Sequence, residues 1–175
     1  NHSSIARTIE LTSYAEVVLA PPAADELHPA FSNLFVQTEI IRRQRAILCT
    51  RRPRSRGEQV PWMLHLMAVH GAESGEVSYE TDRMQFIGRG NTAADPQAMS
   101  WGADQLGLEN RGGLLSSSEG SVLDPIVAIR TRITLDPEQS VTIDMVSGIG
   151  ETRDAALSLV EKYQDRRLAD RVFDL

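Results

Sequence analysis

Residues 116–165, SSSEGSVLDPIVAIRTRITLDPEQSVTIDMVSGIGETRDAALSLVEKYQD, hold the passage whose reading decides the fold. Ile126 to Leu135 and Val141 to Ile149 alternate their side chains with a period of two, as half-buried strands do. Asp136-Pro137-Glu138-Gln139 between them suits a hairpin turn, with proline presetting the backbone and the polar residues left in water. After Gly150 the period changes. Thr152 suits an N-cap, and Glu151 and Asp154 suit the positive end of a helix dipole. Ala156, Leu159, Val160 and Tyr163 form an apolar stripe at helical spacing, and Arg166, Arg167 and Arg171 load the other end. The passage predicts a β-domain over residues 1–150 that hands its chain to one long linker helix over 151–175.

Upstream, Arg7 to Leu19 alternates in the same way, with Ile9, Leu11, Ser13, Ala15, Val17 and Leu19 on one face. Pro21-Pro22 ends that strand, since proline cannot donate to a ladder. Ala23 to Ser32 reads as a loop or short helical turn, followed by strands over Leu34–Ile41 and Ala46–Thr50. Trp62 to His70 is apolar on both faces, which predicts a central strand covered on both sides. Val77 to Ile87 reads as a further strand leading to Gly88-Arg89-Gly90. Asn91 to Gly120 is irregular, with a short helix around Pro96–Trp101. The fold class is therefore all-β and antiparallel, with seven or so strands and one helix.

The chain has 175 residues, 41% hydrophobic and 24% charged, ordinary values for one globular domain. No apolar run reaches the length of a membrane span. The start, Asn1-His2-Ser3-Ser4, has neither an initiator Met nor a signal-peptide core, and reads as a cloning scar or an internal cut. A net charge of −6 argues against a nucleic-acid surface. From Arg42 to Arg56 runs a basic cluster, RRQRAILCTRRPRSR. Its arginines either form a phosphate-binding patch or simply flank a short strand in solvent. Cys49 is alone, so it can form neither an intrachain disulfide nor a Cys-based metal site, and its apolar setting predicts an inert buried thiol. A lone cysteine fits a reducing, cytoplasmic compartment.

The remaining motifs carry little chemistry. His2, His28, His65 and His70 lack metal-ligand spacing, and His65 and His70 point to opposite faces of one strand. Gly88 and Gly90 complete no phosphate-binding fingerprint. Ser117 and Ser118 lie in a loop without a nucleophile-elbow pattern. Glu80 with Asp82, and Glu119 with Asp124, are carboxylate pairs of the kind glycoside chemistry uses, but each reads as a surface or turn residue.

Three segments together resemble a known family: TSYAEVVLAPPAADELHPAFSNLFVQTE, SYETDRMQFIGRGNT and GSVLDPIVAIRTRITLDPEQSVTIDMVSGIGETRDAALSLVEKY. They are similar to the N-terminal β-domain of the inverting glycoside phosphorylases, which include cellobiose and chitobiose phosphorylase. The likeness is strongest to the phosphorylase-like region of cyclic β-1,2-glucan synthases. It covers nearly the whole chain, with Ser100 to Gly113 contributing little.

The resemblance implies a β-supersandwich of the galactose-mutarotase type, then a linker helix, then an (α/α)6 barrel beyond this chain. Family β-domains are longer than 175 residues, so an incomplete sandwich with open edges is expected. The family's catalytic Asp and its inorganic phosphate site lie in the barrel. No catalytic residue, metal or cofactor is therefore carried over to this chain, and any inner-membrane anchor would lie outside it.

The segment from His28 to Phe35 corresponds to the region that approaches the acceptor sugar. Phe31 and Phe35 are candidates for an apolar sugar platform and Asn33 for a hydrogen-bonding amide; the competing roles are core packing and a turn. Asp82, Arg83 and Arg89 match a family motif, with bracing of the fold as the competing role.

Two functions follow. One is a non-catalytic carbohydrate-associated domain shaping the mouth of the barrel site, with β-glucan and the barrel as partners. The other is an independent carbohydrate-binding or purely structural module. The stripe on the exit helix favours the first, because it calls for a partner surface. Open edges predict self-association, most simply as a two-fold dimer.

Overall fold

Trp62–His70 (β5) is apolar on both faces, and both are buried in the computed structural model, which describes residues 1–100 and 113–172. β5 lies inside a four-stranded antiparallel sheet, between Ala46–Arg51 (β4) and Thr142–Gly150 (β8), with Val36–Ile41 (β3) beyond β4. Leu64, Leu66 and Ala68 point to one side with Ala46 and Leu48. Ile47, Cys49, Met63 and Met67 point to the other, where a second sheet covers them.

That second sheet is built on Pro125–Leu135 (β7). Ser74–Asp82 (β6) pairs along one side of it, and Arg7–Thr12 (β1) and Ala15–Glu16 (β2) along the other, all antiparallel. β1 and β2 are one strand by register, since Arg7 faces Leu135 and Glu16 faces Ile126 without a shift. The break falls at Ser13, whose hydroxyl accepts the Ile129 N–H at 3.1 Å in place of a backbone carbonyl. Leu11, Ala15, Val17 and Leu19, on the face the alternation assigns to the core, meet Val127 and Ile129 from β7 and Ile40 and Ile47 from the other sheet. The fold is the expected antiparallel sandwich.

One polar side chain crosses this apolar layer. His65 is 5% exposed. Its Nε2 lies 2.9 Å from Ser13 Oγ on the opposite sheet, and its Nδ1 lies 2.8 Å from Ser147 Oγ on β8. A chain of hydrogen bonds thus runs from Ile129 through Ser13 and His65 to Ser147, satisfying groups that would otherwise be buried unpaired. Cys49 is fully buried between the sheets, and desolvation pushes its thiol pKa up to about 12, which makes it inert at neutral pH.

Each sheet is also covered on its outer face. Arg153–Gln164 (α5) lies on the β3–β4–β5–β8 sheet with Ala156 and Val160 fully buried, and Leu157, Leu159 and Tyr163 alongside. Thr152 caps it, accepting from Ala155 N at 3.1 Å. Gly150 is required where β8 meets the helix, because a Cβ there would lie 2.6 Å from Ala156 N. Arg153 forks onto Glu39 of β3, with Nε and Nη2 at 3.0 and 2.5 Å from the two carboxylate oxygens. On the other sheet, Phe86, Ile87, Ala98 and Leu115 cover Ile126 and Ala128.

Several elements differ from the sequence expectation. The exit is two helices: Asp165 is extended, and its carboxylate caps the short Arg166–Asp170 (α6) by accepting from Arg167 N at 2.9 Å. An Asp at that position offers the backbone a local alternative to continuing the first helix. The stripe of α5 is spent on the chain's own sheet, so it does not call for an external partner. Val172 remains 51% exposed, and Phe173 lies outside the described residues.

The expected strand to Ile87 stops at Asp82, and Arg83–Ile87 (α3) is helical. Of the loop or short helical turn expected there, the structure has the helical alternative, twice: Pro22–Leu27 (α1) and Pro29–Asn33 (α2), each with proline in its first turn, where the missing N–H costs nothing. Gln97–Ser100 (α4) takes up the expected short helix, whose Trp101 lies outside the described residues.

Burial lowers the His65 pKa from 6.5 to about 4. The folded chain therefore binds this proton less readily than the unfolded chain. The stabilisation from neutral His65 is complete above the unfolded pKa and is lost as pH falls toward the folded one. At roughly 1.4 kcal/mol per unit, about 3 kcal/mol is at stake between about pH 6.5 and 4. Urea denaturation across that window is expected to show the loss, and H65Q to flatten it. An unchanged slope in H65Q would place the acid sensitivity elsewhere.

Candidate functional site

The residues singled out by sequence gather at one end of the sandwich, where α2 delivers the chain into β3. Phe31 is 56% exposed on α2, and its ring meets Phe35 edge-on, with centroids 5.2 Å apart and planes at 73°. Phe35 is half-buried, so it acts as a prop while Phe31 presents its surface to solvent. Neither ring belongs to the sandwich core.

Asn33 closes the same short helix. Its Nδ2 donates to Asp124 Oδ1 at 3.0 Å. Asp124 sits at the mouth of β7, where its carbonyl accepts from Arg83 N and its Oδ2 lies 3.7 Å from Arg83 Nη1. Arg83 Nε donates to Glu16 Oε1 at 3.1 Å, and the Tyr14 hydroxyl donates to the same oxygen at 3.0 Å. A continuous polar chain from Asn33 to Tyr14 thus joins α2, β7, α3 and β2.

Three carboxylates, Glu16, Asp82 and Asp124, share the neighbourhood of one guanidinium. Burial raises the Asp124 pKa, Arg83 opposes the rise, and Glu16 adds to it. Tyr14 is raised for the same reasons, burial first and Glu16 second. Arg83 is held charged chiefly by its bond to Glu16.

Asp82 caps α3 by accepting from Met84 N at 2.8 Å, so its carboxylate is committed to the fold. Asn33, Asp82 and Arg83 therefore come together, and Phe31 pairs with Phe35. His28 sits exposed between α1 and α2, and Arg89 sits exposed between Gly88 and Gly90, both at φ +82°; neither joins these contacts.

Asp124, Glu16 and Tyr14 complete the chain and were not marked as site residues by sequence. The pairing of Tyr14 and Glu16 on the polar face of the first strand was the available signal. Two further residues have a buried role that no local pattern marks. Glu80, read as a surface or turn residue, is 1% exposed. Its Oε1 accepts from Thr81 N and Asp82 N at 2.9 and 3.0 Å, and its Oε2 accepts from the N–H and hydroxyl of Ser116. Arg130 is 3% exposed and donates to the carbonyls of Gly113 and Ala98, with Glu10 at 3.3 Å. Together they hold the segment entering at Gly113 against β6 and β7.

Among the described residues no three His, Cys, Asp or Glu side chains are placed to hold a metal ion, and no helix is long and apolar enough to cross a membrane.

The family model of the glycosyl hydrolase 94 supersandwich domain matches residues 1–166. The chain belongs to this family. It is 34% identical over 158 residues to the cyclic beta-(1,2)-glucan synthase NdvB of Rhizobium meliloti (strain 1021). That match covers 90% of this chain and 5% of the relative, so the chain spans a small part of the curated protein it matches. The resemblance drawn from the three segments is thereby established, together with the supersandwich fold it implied.

Glu80 anchors the loop that flanks the site, and it is buried with four donors on it. E80A leaves those donors unpaired and is expected to cost about 3 kcal/mol in urea denaturation. E26A, on an exposed position of α1, is expected to change stability by less than about 0.5 kcal/mol. Equal effects of the two would mean that the Glu80 network is dispensable.

Proposed function

We infer that this supersandwich domain is a non-catalytic, carbohydrate-associated part of a longer β-1,2-glucan synthase or phosphorylase, where it shapes the mouth of a barrel active site. The observation that carries this reading is Phe31, an exposed aromatic ring propped by Phe35 on the helix that also presents the Asn33 amide. An apolar ring beside a fixed polar group suits a sugar, whose C–H face stacks while its hydroxyls hydrogen-bond. The likeness to a glucan synthase supports glucan as the substrate class. Catalysis, and any use of inorganic phosphate in it, belongs on this reading to the barrel.

One observation favours the independent-module reading: Ala156 and Val160 of the α5 stripe are fully buried against the domain's own sheet. The two readings differ in affinity. A wall that completes a site made mostly elsewhere binds β-1,2-gluco-oligosaccharides in the millimolar range, worth about 4 kcal/mol, whereas an autonomous module reaches micromolar. Titration of the chain followed by NMR is expected to give weak, saturable binding that F31A abolishes, with no release of glucose 1-phosphate. Micromolar binding would favour the module, and binding unaffected by F31A would remove Phe31 from the site.

The barrel also needs a face on this domain. Among the described residues β8 pairs with β5 alone, and its Met145 and Ile149 side chains are 56% and 57% exposed. They flank a groove of about 620 Å3 shared with Leu159, Tyr163 and Val172. Apolar side chains beside an open ladder edge suit burial under another chain segment, and this reading assigns that segment to the barrel. Without it, the chain is expected to self-associate in sedimentation, and M145E/I149E to shift it to monomer. A wild-type monomer at high micromolar concentration would remove the assignment.

A further inference from the structure

The arginines at the end of β4 are arranged unlike any others described in the chain. Arg51, Arg52 and Arg54 place their guanidinium carbons 5.2, 5.8 and 5.7 Å from the centroid of the single Phe35 ring. Arg83, Arg130 and Arg153 each have a carboxylate within ion-pair distance, at 3.1, 3.3 and 2.5 Å. Among the described residues the three arginines around Phe35 have none.

Arg51 is 5% exposed; its Nη1 donates to Leu19 O at 3.2 Å, and its Nη2 is buried with no hydrogen-bond partner. Arg52 donates to Leu34 O at 2.8 Å. Glu58, the one acid in residues 51–60, accepts from the backbone N–H of Arg54 at 2.5 Å. Burial, and then the charge of Arg54, weaken the hold of Arg51 on its proton, and the charge of Glu58 only partly opposes them.

A buried guanidinium without a counter-ion is costly, and this one stands beside two others in a chain of net charge −6. Forked donors gathered around one ring, with N–H groups left over after the bonds to Leu19 O and Leu34 O, suit a phosphoryl group at the rim of the cluster, which offers three acceptor oxygens and close to two negative charges. Phe31, edge-on to Phe35, lies next to the cluster and offers an apolar surface for whatever carries the phosphate.

We propose that Arg51, Arg52 and Arg54, set around Phe35, form a binding site for the phosphate monoester of a small organic ligand. The site does not depend on the glucan reading: inorganic phosphate alone tests it, and a neutral glucan does not.

The experiment is an NMR titration of the chain at constant ionic strength, with inorganic phosphate and, separately, a hexose phosphate. Saturable shifts of the Arg side-chain N–H groups and of the amides of Arg52, Arg54 and Ser55 are expected, with tighter binding of the hexose phosphate. R52A/R54A is expected to weaken binding at least about tenfold, and R52K/R54K, which keeps the charge but loses the fork, to fall between. R54A alone, whose side chain holds no backbone carbonyl, is expected to act in the same direction without risk to the fold. R166A/R171A controls for net charge and is expected to change nothing.

Absence of saturable shifts up to about 10 mM, near 3 kcal/mol, overturns the proposal. So does equal weakening by the control pair, and a hexose phosphate that binds no better than inorganic phosphate overturns the monoester assignment.

Discussion

Every residue of β4 is buried, and the middle of β5 is buried on both faces. A sheet whose two central strands must be dry on both sides needs a layer above and a layer below. The β7 sheet supplies one and α5 the other. Gly150 lets the helix approach the end of β8, and the Arg153–Glu39 fork ties the helix to β3. The same logic covers the outer face of β7 with α3, α4 and the segment around Leu115. The domain is thus a sandwich with a helical layer on each side.

Stacking the sheets this way leaves their edges unequal. The 115–120 segment closes one side: Ser117 N donates to Tyr79 O of β6, and Gly120 exchanges backbone bonds with Thr38 of β3. It is held by Glu80 and by Arg130, two buried polar side chains whose partners are mostly backbone. A buried carboxylate surrounded by N–H donors is tolerable where an isolated one is not. On the other side β8 has β5 as its one strand partner among the described residues, and its Met145 and Ile149 stay in the open. The polar chain at the sandwich end ties α2 to α3 and to the sheet of β2 and β7, and Arg52, just past β4, bonds Leu34 O and Phe35 O, so the segment bearing Phe31 is held from both sheets.

The arginine cluster and the aromatic pair show how position changes the meaning of a residue. Arg42 to Arg56 reads in sequence either as a phosphate-binding patch or as arginines flanking a short strand in solvent, and Ala46–Arg51 is that strand. Arg51, however, is drawn inward by the register of β4, because alternate residues of a strand face opposite sides and Arg51 follows Ile47 and Cys49. A charge that the pleat carries toward the interior is a different object from its neighbour in solvent.

Periodicity made the strands, their apolar faces and the helix after Thr152 legible in the sequence, because each depends on the spacing of neighbours along the chain. The family was legible too, in three segments that together cover most of the domain. Short-range chemistry misled in two places. Asp82 ends its strand by capping a helix, and Asp165 breaks the exit helix by capping another; in both, a side chain satisfies backbone N–H groups that the apolar pattern does not register. What the tertiary structure alone decided is every relation between distant segments: His65 with Ser13, Asn33 with Asp124, Glu80 with Ser116, and three arginines around Phe35. None of these pairs is close in sequence, and none follows from a period. They exist because strand pairing, loop closure and the packing of two sheets bring together side chains that the chain itself keeps far apart.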